Sequence, residues 1–217
     1  MKRSSKSKNW MRAHVADPFV QRAQKEGYRS RAAYKLQQIA ARDRLFAPGI
    51  TVVDLGAAPG GWSQVAAAAV GRSGMVVALD VLEMAPVRGV TALCGDFRDP
   101  AALAALCGIL AGRAVDLVLS DMAPNISGIA ASDQARALEL AEGALEFSAA
   151  RLKPDGRFLV KVFQGAGFEG FLHRMRAQFR QVVSRKPEAS RDRSSEIYLL
   201  GSGLKHPAVE KDTGTAG

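Results

Sequence analysis

The residue that is hardest to explain structurally in this 217-residue chain is a lysine inside an apolar run. Lys161 stands in FLVKVF, where an ammonium group is costly unless it is paired or reaches the end of the strand. If the run is a strand, Lys161 points away from Val160 and Val162. Asp121, which ends the run VDLVLSD, is then the expected partner. A surface lysine whose aliphatic stem covers the sheet edge is the alternative interpretation.

Acidic residues recur at the ends of successive strand-like runs. Asp54 lies in ITVVDLG, Asp80 in GMVVALDV and Asp96 directly after VTALCG, while Asp121 ends the fourth run. In a parallel sheet these ends meet at one edge, where ligands bind. Asp80 follows Asp54 by 26 residues, a spacing that suits contact with ribose hydroxyls, and Asp96 is then placed to accept from an adenine amino group. Each carboxylate alone would also suit a solvated strand end or a helix cap.

The stretch DLGAAPGGWSQ, residues 54–64, joins a β-branched run to an alanine-rich helical pattern. Its glycines permit a sharp turn and close approach of a ligand, and the following helix presents free amides. Gly56, Gly60 and Gly61 fit neither the dinucleotide fingerprint nor the P-loop, so pyrophosphate is not indicated. A nucleoside ligand without phosphate, such as S-adenosylmethionine, fits better. A tight turn with no ligand is the alternative.

The chain from Ile50 onward alternates between strand-like and helical patterns, which predicts βαβ units in a mostly parallel α/β sheet with helices on both faces. The last two strand-like runs, RQVVSRK and EIYLLGSG, predict a hairpin that adds an antiparallel edge. Before the alternation, Asp17 and Pro18 are the expected N-cap and first residue of a short helix. Ser30 is expected to cap a second helix.

Composition and charge limit the possible functions. A hydrophobic fraction of 47% with no long apolar stretch predicts a globular protein without a membrane span. We expect a cytoplasmic monomer, although the basic start leaves an organellar transit segment open. Cys94 and Cys107 have no metal-ligand spacing and form no disulfide framework.

The net charge of +9 is concentrated in two parts of the chain. Residues 1–35 contain ten lysines or arginines and two acids, and a second basic cluster lies within residues 180–193. Phosphate contacts of this kind dominate nucleic-acid affinity, so the pattern favours a polyanion over a merely basic surface.

Together these motifs resemble the FtsJ family of S-adenosylmethionine-dependent RNA ribose 2′-O-methyltransferases. From about Arg29 to Gly201, the stretches similar to that family are RSRAAYKL, DLGAAPGGWSQ, GDF, SDMAPN, LVKVFQG and SRDRSSEIYLLG. The resemblance implies a Rossmann-like class I methyltransferase fold with a seven-stranded sheet. We assign residues 1–28 to a basic arm and short helix, 29–203 to the methyltransferase domain and 204–217 to a flexible tail.

The resemblance also implies a site, a cofactor and a substrate. The family's catalytic tetrad would be Lys35, Asp121, Lys161 and Glu196, with no substitution. The family's cofactor-binding positions would be Gly60, Trp62, Asp80, Asp96 and Asp121. S-adenosylmethionine is the implied cofactor, although Trp62 suits the core equally well. In the bacterial branch the implied substrate is a uridine in the A loop of large-subunit (23S) ribosomal RNA, on the assembled large ribosomal subunit.

Methyl transfer to a ribose hydroxyl requires an aligned oxygen and one base. A lysine is such a base only when desolvation or a second ammonium favours its neutral form. We hypothesise that Lys161 accepts the proton, that Lys35 favours neutral Lys161 and positions the ribose, and that Asp121 and Glu196 orient the lysines. Two alternatives stay open: a 2′-O-methyltransferase of transfer RNA or another RNA, and, less favoured, a non-catalytic ribosome assembly factor.

Overall fold

A seven-stranded sheet organises the part of the chain that the computed structural model describes, residues 17–191 and 194–206. The strands are β1 Thr51–Leu55, β2 Met75–Asp80, β3 Thr91–Cys94, β4 Val115–Ser120, β5 Leu152–Phe163, β6 Phe179–Arg185 and β7 Glu196–Leu204. Their order is β3-β2-β1-β4-β5-β7-β6, with β1 to β5 parallel and β7 antiparallel to both neighbours. The predicted α/β class and antiparallel edge are therefore confirmed.

Helices cover both faces of this sheet. They are α1 Pro18–Glu26, α2 Ala32–Asp43, α3 Gly61–Val70, α4 Pro100–Leu110, α5 Ala130–Arg151 and α6 Phe168–Gln178. Side chains of β1 alternate between two cores, since Val52 packs with α2 and α3 whereas Val53 and Leu55 pack with α4, α5 and α6. None of the described helices is long and apolar enough to cross a membrane.

The N-terminal helices show one correct and one wrong cap prediction. Asp17 caps α1 as expected, because its Oδ1 accepts a hydrogen bond of 3.0 Å from the Phe19 amide. The prediction for Ser30 is wrong: Arg31 is the residue at the start of α2, and no side chain caps that helix. The Ser30 hydroxyl instead faces Gly61, where an added Cβ would lie 2.5 Å from its Oγ. Ser30 therefore packs against the first turn of α3 and does not cap α2.

The predicted terminal segments fall largely outside the described residues. The arm up to residue 16 and the tail from residue 207 are both outside them. Strand β7 includes the buried Leu204, which is the first residue of the predicted tail.

The direction of β7 carries its first residue to the ligand-binding edge. Parallel strands β4 and β5 end there with Asp121 and Lys161 nearby, whereas β7 begins there because it runs the opposite way. Its register places Glu196 opposite Phe163 and Tyr198 opposite Lys161. A parallel strand in this position would bring its last residues to the edge instead.

Two glycine-to-alanine substitutions test this packing with opposite expected signs. In β7, a Cβ on Gly201 would lie 2.5 Å from the buried Phe179 ring, so we expect Gly201→Ala to lower the free energy of unfolding by about 1–3 kcal/mol. In α4, Gly108 is exposed, and a Cβ there would have no neighbouring atom within 4 Å. Gly108→Ala should therefore raise the free energy of unfolding by about 0.5–1 kcal/mol. Urea denaturation followed by circular dichroism measures both. Equal shifts of the same sign would contradict the packing at Gly201.

Candidate active site

Two lysine–carboxylate pairs lie where β4, β5 and β7 meet. The Lys161 Nζ is 3.1 Å from Asp121 Oδ1 and donates to the Asp121 backbone carbonyl at 2.6 Å. Lys35, on α2, places its Nζ 2.6 Å from Glu196 Oε1. The side chains of Lys161 and Glu196 are only 8% and 11% exposed. The structure thus forms the expected pair between Lys161 and Asp121 and adds a second pair beside it.

The Tyr198 hydroxyl joins the two pairs. It lies 3.0 Å from Asp121 Oδ1 and 3.3 Å from Glu196 Oε1, and the side chain is fully buried. Burial, together with the two neighbouring carboxylates, raises the pKa of Tyr198 well above its usual value, so this hydroxyl stays a neutral donor. None of the sequence motifs indicated a role for Tyr198. The signal was its position two residues after Glu196, which puts both side chains on the same face of β7.

The charge state of Glu196 is set by opposing effects. Burial raises its pKa, but the Lys35 charge and hydrogen bond outweigh that effect, with further contributions from Lys161 and Ser190. The net result is a pKa below the usual value for glutamate. Glu196 is therefore a carboxylate at neutral pH and holds the Lys35 ammonium in place.

A cavity of about 390 Å³ adjoins these pairs at the ends of β1, β2, β3 and β4. Three of the predicted cofactor residues line it, Asp80, Asp96 and Asp121. Asp121 thus belongs to both the cavity and the paired lysines. The wall presents carboxylates from three successive strand ends, which suits a ligand that donates hydrogen bonds through hydroxyl and amino groups.

The backbone and one arginine hold two of these acids. Asp80 accepts amide hydrogen bonds from Ala58 at 2.9 Å and from Leu82 at 2.8 Å. Asp96 pairs with Arg98, whose Nη2 lies 2.6 Å from Asp96 Oδ2. The hydrogen bonds from Arg98 lower the pKa of Asp96. Both acids are therefore fixed in orientation. Asp80 accepts two hydrogen bonds and Asp96 three, from the amide, Nε and Nη2 of Arg98, so each carboxylate keeps at least one acceptor position for a ligand.

The other two predicted cofactor residues, Gly60 and Trp62, are not among the residues that line this cavity. Gly60 has a φ of 107°, and a Cβ there would lie 2.7 Å from Met84 Sδ. Trp62 is buried, and its Nε1 donates to the Ala32 carbonyl at 2.8 Å. The structure therefore places Trp62 in the core between α2 and α3, and contact of either residue with a cofactor stays a prediction.

Asp54 lies beneath the glycine-rich turn and is completely buried. Its Oδ2 accepts a hydrogen bond of 2.6 Å from Ser63, whereas its Oδ1 has no hydrogen-bond partner among the described residues. Burial is the main cause that raises its pKa to about 7; the Ser63 bond opposes this and the charges of Asp121 and Asp80 add to it. Its place in the first strand was predicted, but its burial was not.

The fold and this site define an α/β protein of the Rossmann-like methyltransferase class with an acidic cavity beside two lysine–carboxylate pairs. The family model described as FtsJ-like methyltransferase matches residues 28–204. The chain therefore belongs to the FtsJ-like methyltransferase family.

Relatives and a solved structure agree with this assignment. The protein named ribosomal RNA large subunit methyltransferase E from Nitrosospira multiformis is 63% identical over 205 residues, which cover 94% of this chain and 100% of that protein. The protein of the same name from Azoarcus sp. is 61% identical with the same coverage. A crystal structure from Plasmodium falciparum, described as a candidate ribosomal RNA methyltransferase, has a TM-score of 0.72 and 25% identity, covering 82% of this chain and 98% of that one.

Asp54→Asn tests the buried carboxyl through the pH dependence of stability. The folded-state pKa of Asp54, about 7, is above the ordinary value of 3.8, so the native state holds a proton that the unfolded state releases. The contribution of Asp54 to the free energy of unfolding should therefore fall as the pH rises from 3.8 to about 7. In Asp54→Asn this decrease should be absent. Denaturant titrations across this range provide the comparison, and parallel curves for the two proteins would disprove the assignment.

Proposed function

We propose that the protein transfers a methyl group from S-adenosylmethionine to a ribose 2′-hydroxyl of large-subunit ribosomal RNA. The observation that carries this proposal is that Asp121 belongs to both the acidic cavity and the paired lysines. A cofactor and a hydroxyl acceptor can thus meet at one side chain. The names of the relatives at 63% and 61% identity support ribosomal RNA as the substrate. The family resemblance favours a uridine of the A loop on the assembled subunit.

S-adenosylmethionine suits the cavity by the chemistry of its donors. Asp80 would accept hydrogen bonds from the ribose hydroxyls and Asp96 from the adenine amino group. Asp121 would lie at the end of the cofactor nearest the lysines. When bound, the cofactor supplies an electrophilic methyl group on a positively charged sulfonium. The cluster of carboxylates favours a cationic ligand over a phosphate.

The chain's own residues would orient the acceptor ribose and take its proton. In this proposal the ribose 2′-oxygen takes the methyl group, whose bond to the sulfonium breaks and leaves a neutral thioether. The 2′-hydroxyl proton passes to the Nζ of Lys161, which must first have lost its own proton. Asp121 orients Lys161, and Glu196 holds Lys35 where it can position the ribose. The low exposure of the Lys161 and Glu196 side chains limits access of water to the proton transfer.

A substrate comparison tests the reaction and the RNA together. Purified protein and tritium-labelled S-adenosylmethionine are incubated with intact large subunits, free ribosomal RNA or transfer RNA from a methylation-deficient strain. Labelled nucleotides are then mapped by the resistance of 2′-O-methylated linkages to alkali. We expect label on a ribose in large subunits. Label only on transfer RNA would replace the ribosomal substrate, and cofactor binding without transfer to any RNA would indicate an assembly factor.

Lys161→Met tests the general base, with Lys153→Met as a matched control on the same strand. Lys153 is also paired with an acid, 2.6 Å from Asp116 Oδ1, but at the opposite end of β5. We expect Lys161→Met to lower kcat by about 100- to 10,000-fold, the usual contribution of a positioned base, while cofactor affinity changes little. Lys153→Met should keep normal turnover. Cofactor affinity is measured by calorimetry for all three proteins. Near-normal turnover by Lys161→Met would exclude Lys161 as the base.

A further inference from the structure

Two hydrogen bonds with side chains at the start and in the middle of α2 hold both backbone groups of Ala189, in the turn before β7. The Ala189 amide donates to Gln38 Oε1 at 3.1 Å, and the Arg31 guanidinium donates to the Ala189 carbonyl. Arg31, Lys35 and Gln38 are spaced four and three residues apart, which places them along one side of the helix. The helix side that presents Lys35 to Glu196 therefore also holds the backbone at Ala189.

Ser190 follows Ala189 and contacts Glu196, the partner of Lys35. Its side chain is buried, and its Oγ lies 3.1 Å from Glu196 Oε1. Its amide donates to the Pro187 carbonyl at 2.9 Å, which closes the turn. The turn and the side chains of Arg31 and Gln38 hold the backbone here. The Ser190 hydroxyl therefore has a defined position. No sequence motif indicated a role for Ser190 or this contact.

The Ser190 hydroxyl supplies one of the hydrogen bonds that Glu196 accepts. Glu196 Oε1 lies near three donors: Lys35 Nζ at 2.6 Å, Ser190 Oγ at 3.1 Å and the Tyr198 hydroxyl at 3.3 Å. Tyr198 has one proton and is closer to Asp121, at 3.0 Å. When Tyr198 donates to Asp121, Glu196 keeps the bonds from Lys35 and Ser190. If Ser190 lost its hydroxyl, Glu196 would compete more strongly for the tyrosine proton.

We propose that Ser190 is a positioning residue for methyl transfer, whose hydroxyl holds the Glu196 carboxylate and leaves the Tyr198 proton to Asp121. This inference rests on the function proposed above. Ser190 contacts neither of the lysines in this scheme. It acts through Glu196 on Lys35, and through Tyr198 on the acid that orients Lys161.

Ser190→Ala tests the role in turnover. We expect kcat to fall by about five- to tenfold, the usual net effect of losing one hydrogen bond, while the Kd for S-adenosylmethionine stays within about twofold. In a Glu196→Ala background the same substitution should cause no further loss, because both changes act through one carboxylate. The wild-type protein is assayed in parallel on the RNA that accepts the most label.

Ser148→Ala is the matched control. Ser148 is also a buried serine, and its hydroxyl donates to the Ala144 carbonyl at 2.7 Å within α5. We expect it to leave kcat unchanged, even if thermal denaturation shows some loss of stability. A kcat for Ser190→Ala within about twofold of wild type would overturn the proposal. An equal loss in the Glu196→Ala background, or an equal loss in Ser148→Ala, would also overturn it.

A titration without turnover separates this inference from the proposed function. Ser190 is one of the groups that lower the pKa of Glu196, so its removal should raise that pKa. The carboxyl carbon of labelled Glu196 can be followed by NMR in wild type, Ser190→Ala and Ser148→Ala. We expect an upward shift in Ser190→Ala alone. Identical titrations would refute the Ser190 bond whether or not the protein methylates RNA, whereas absence of transfer by the wild type would refute the proposed function.

Discussion

The burial of the Lys161 ammonium imposes the main physical constraint on this structure. A charged amine that is buried inside a sheet loses hydration worth about several kcal/mol. A carboxylate and further hydrogen bonds must replace the water to offset this loss. Asp121 supplies both its carboxylate and its backbone carbonyl for this purpose. The second pair, Lys35 with Glu196, adds one charge of each sign. With both lysines protonated the four groups together are neutral, which limits the cost of burying them; Lys161 acts as the base of the proposed reaction only after it has lost its proton.

The neutral cluster depends on the topology of the sheet. Asp121 and Lys161 come from strands that end at the ligand-binding edge, but Glu196 comes from a strand that begins there. Tyr198 follows on the same face and connects the acids of the two pairs. The antiparallel insertion of β7 between β5 and β6 is therefore more than an edge extension. It supplies two of the five side chains of the polar network, Glu196 and Tyr198, and pairs with β5 beside the lysine.

Periodicity predicted the strands and helices well because the central strands are buried on both faces and the helices pack an apolar side against them. The Lys161–Asp121 pair was also predictable, since a strand lysine must find an acid near the strand end. Three features were not predictable in this way. The predicted cap at Ser30 was wrong, because the Ser30 hydroxyl packs against Gly61 of α3 and no side chain caps α2. The bridging role of Tyr198 and the full burial of Asp54 depend on contacts between distant segments, which a local pattern does not contain.

The arginines of the basic N-terminal segment show why net charge locates an RNA surface only coarsely. Arg29 donates to the carbonyls of Pro59, Ala85 and Pro86, and so joins the glycine-rich turn to the loop after β2. Arg31 is similarly committed to Asp17 and Ala189. A guanidinium that already satisfies protein acceptors offers fewer donors to a phosphate. The electrostatic support for an RNA substrate therefore comes from exposed cations such as Arg42 and Arg191, which flank the segments carrying Lys35 and Glu196.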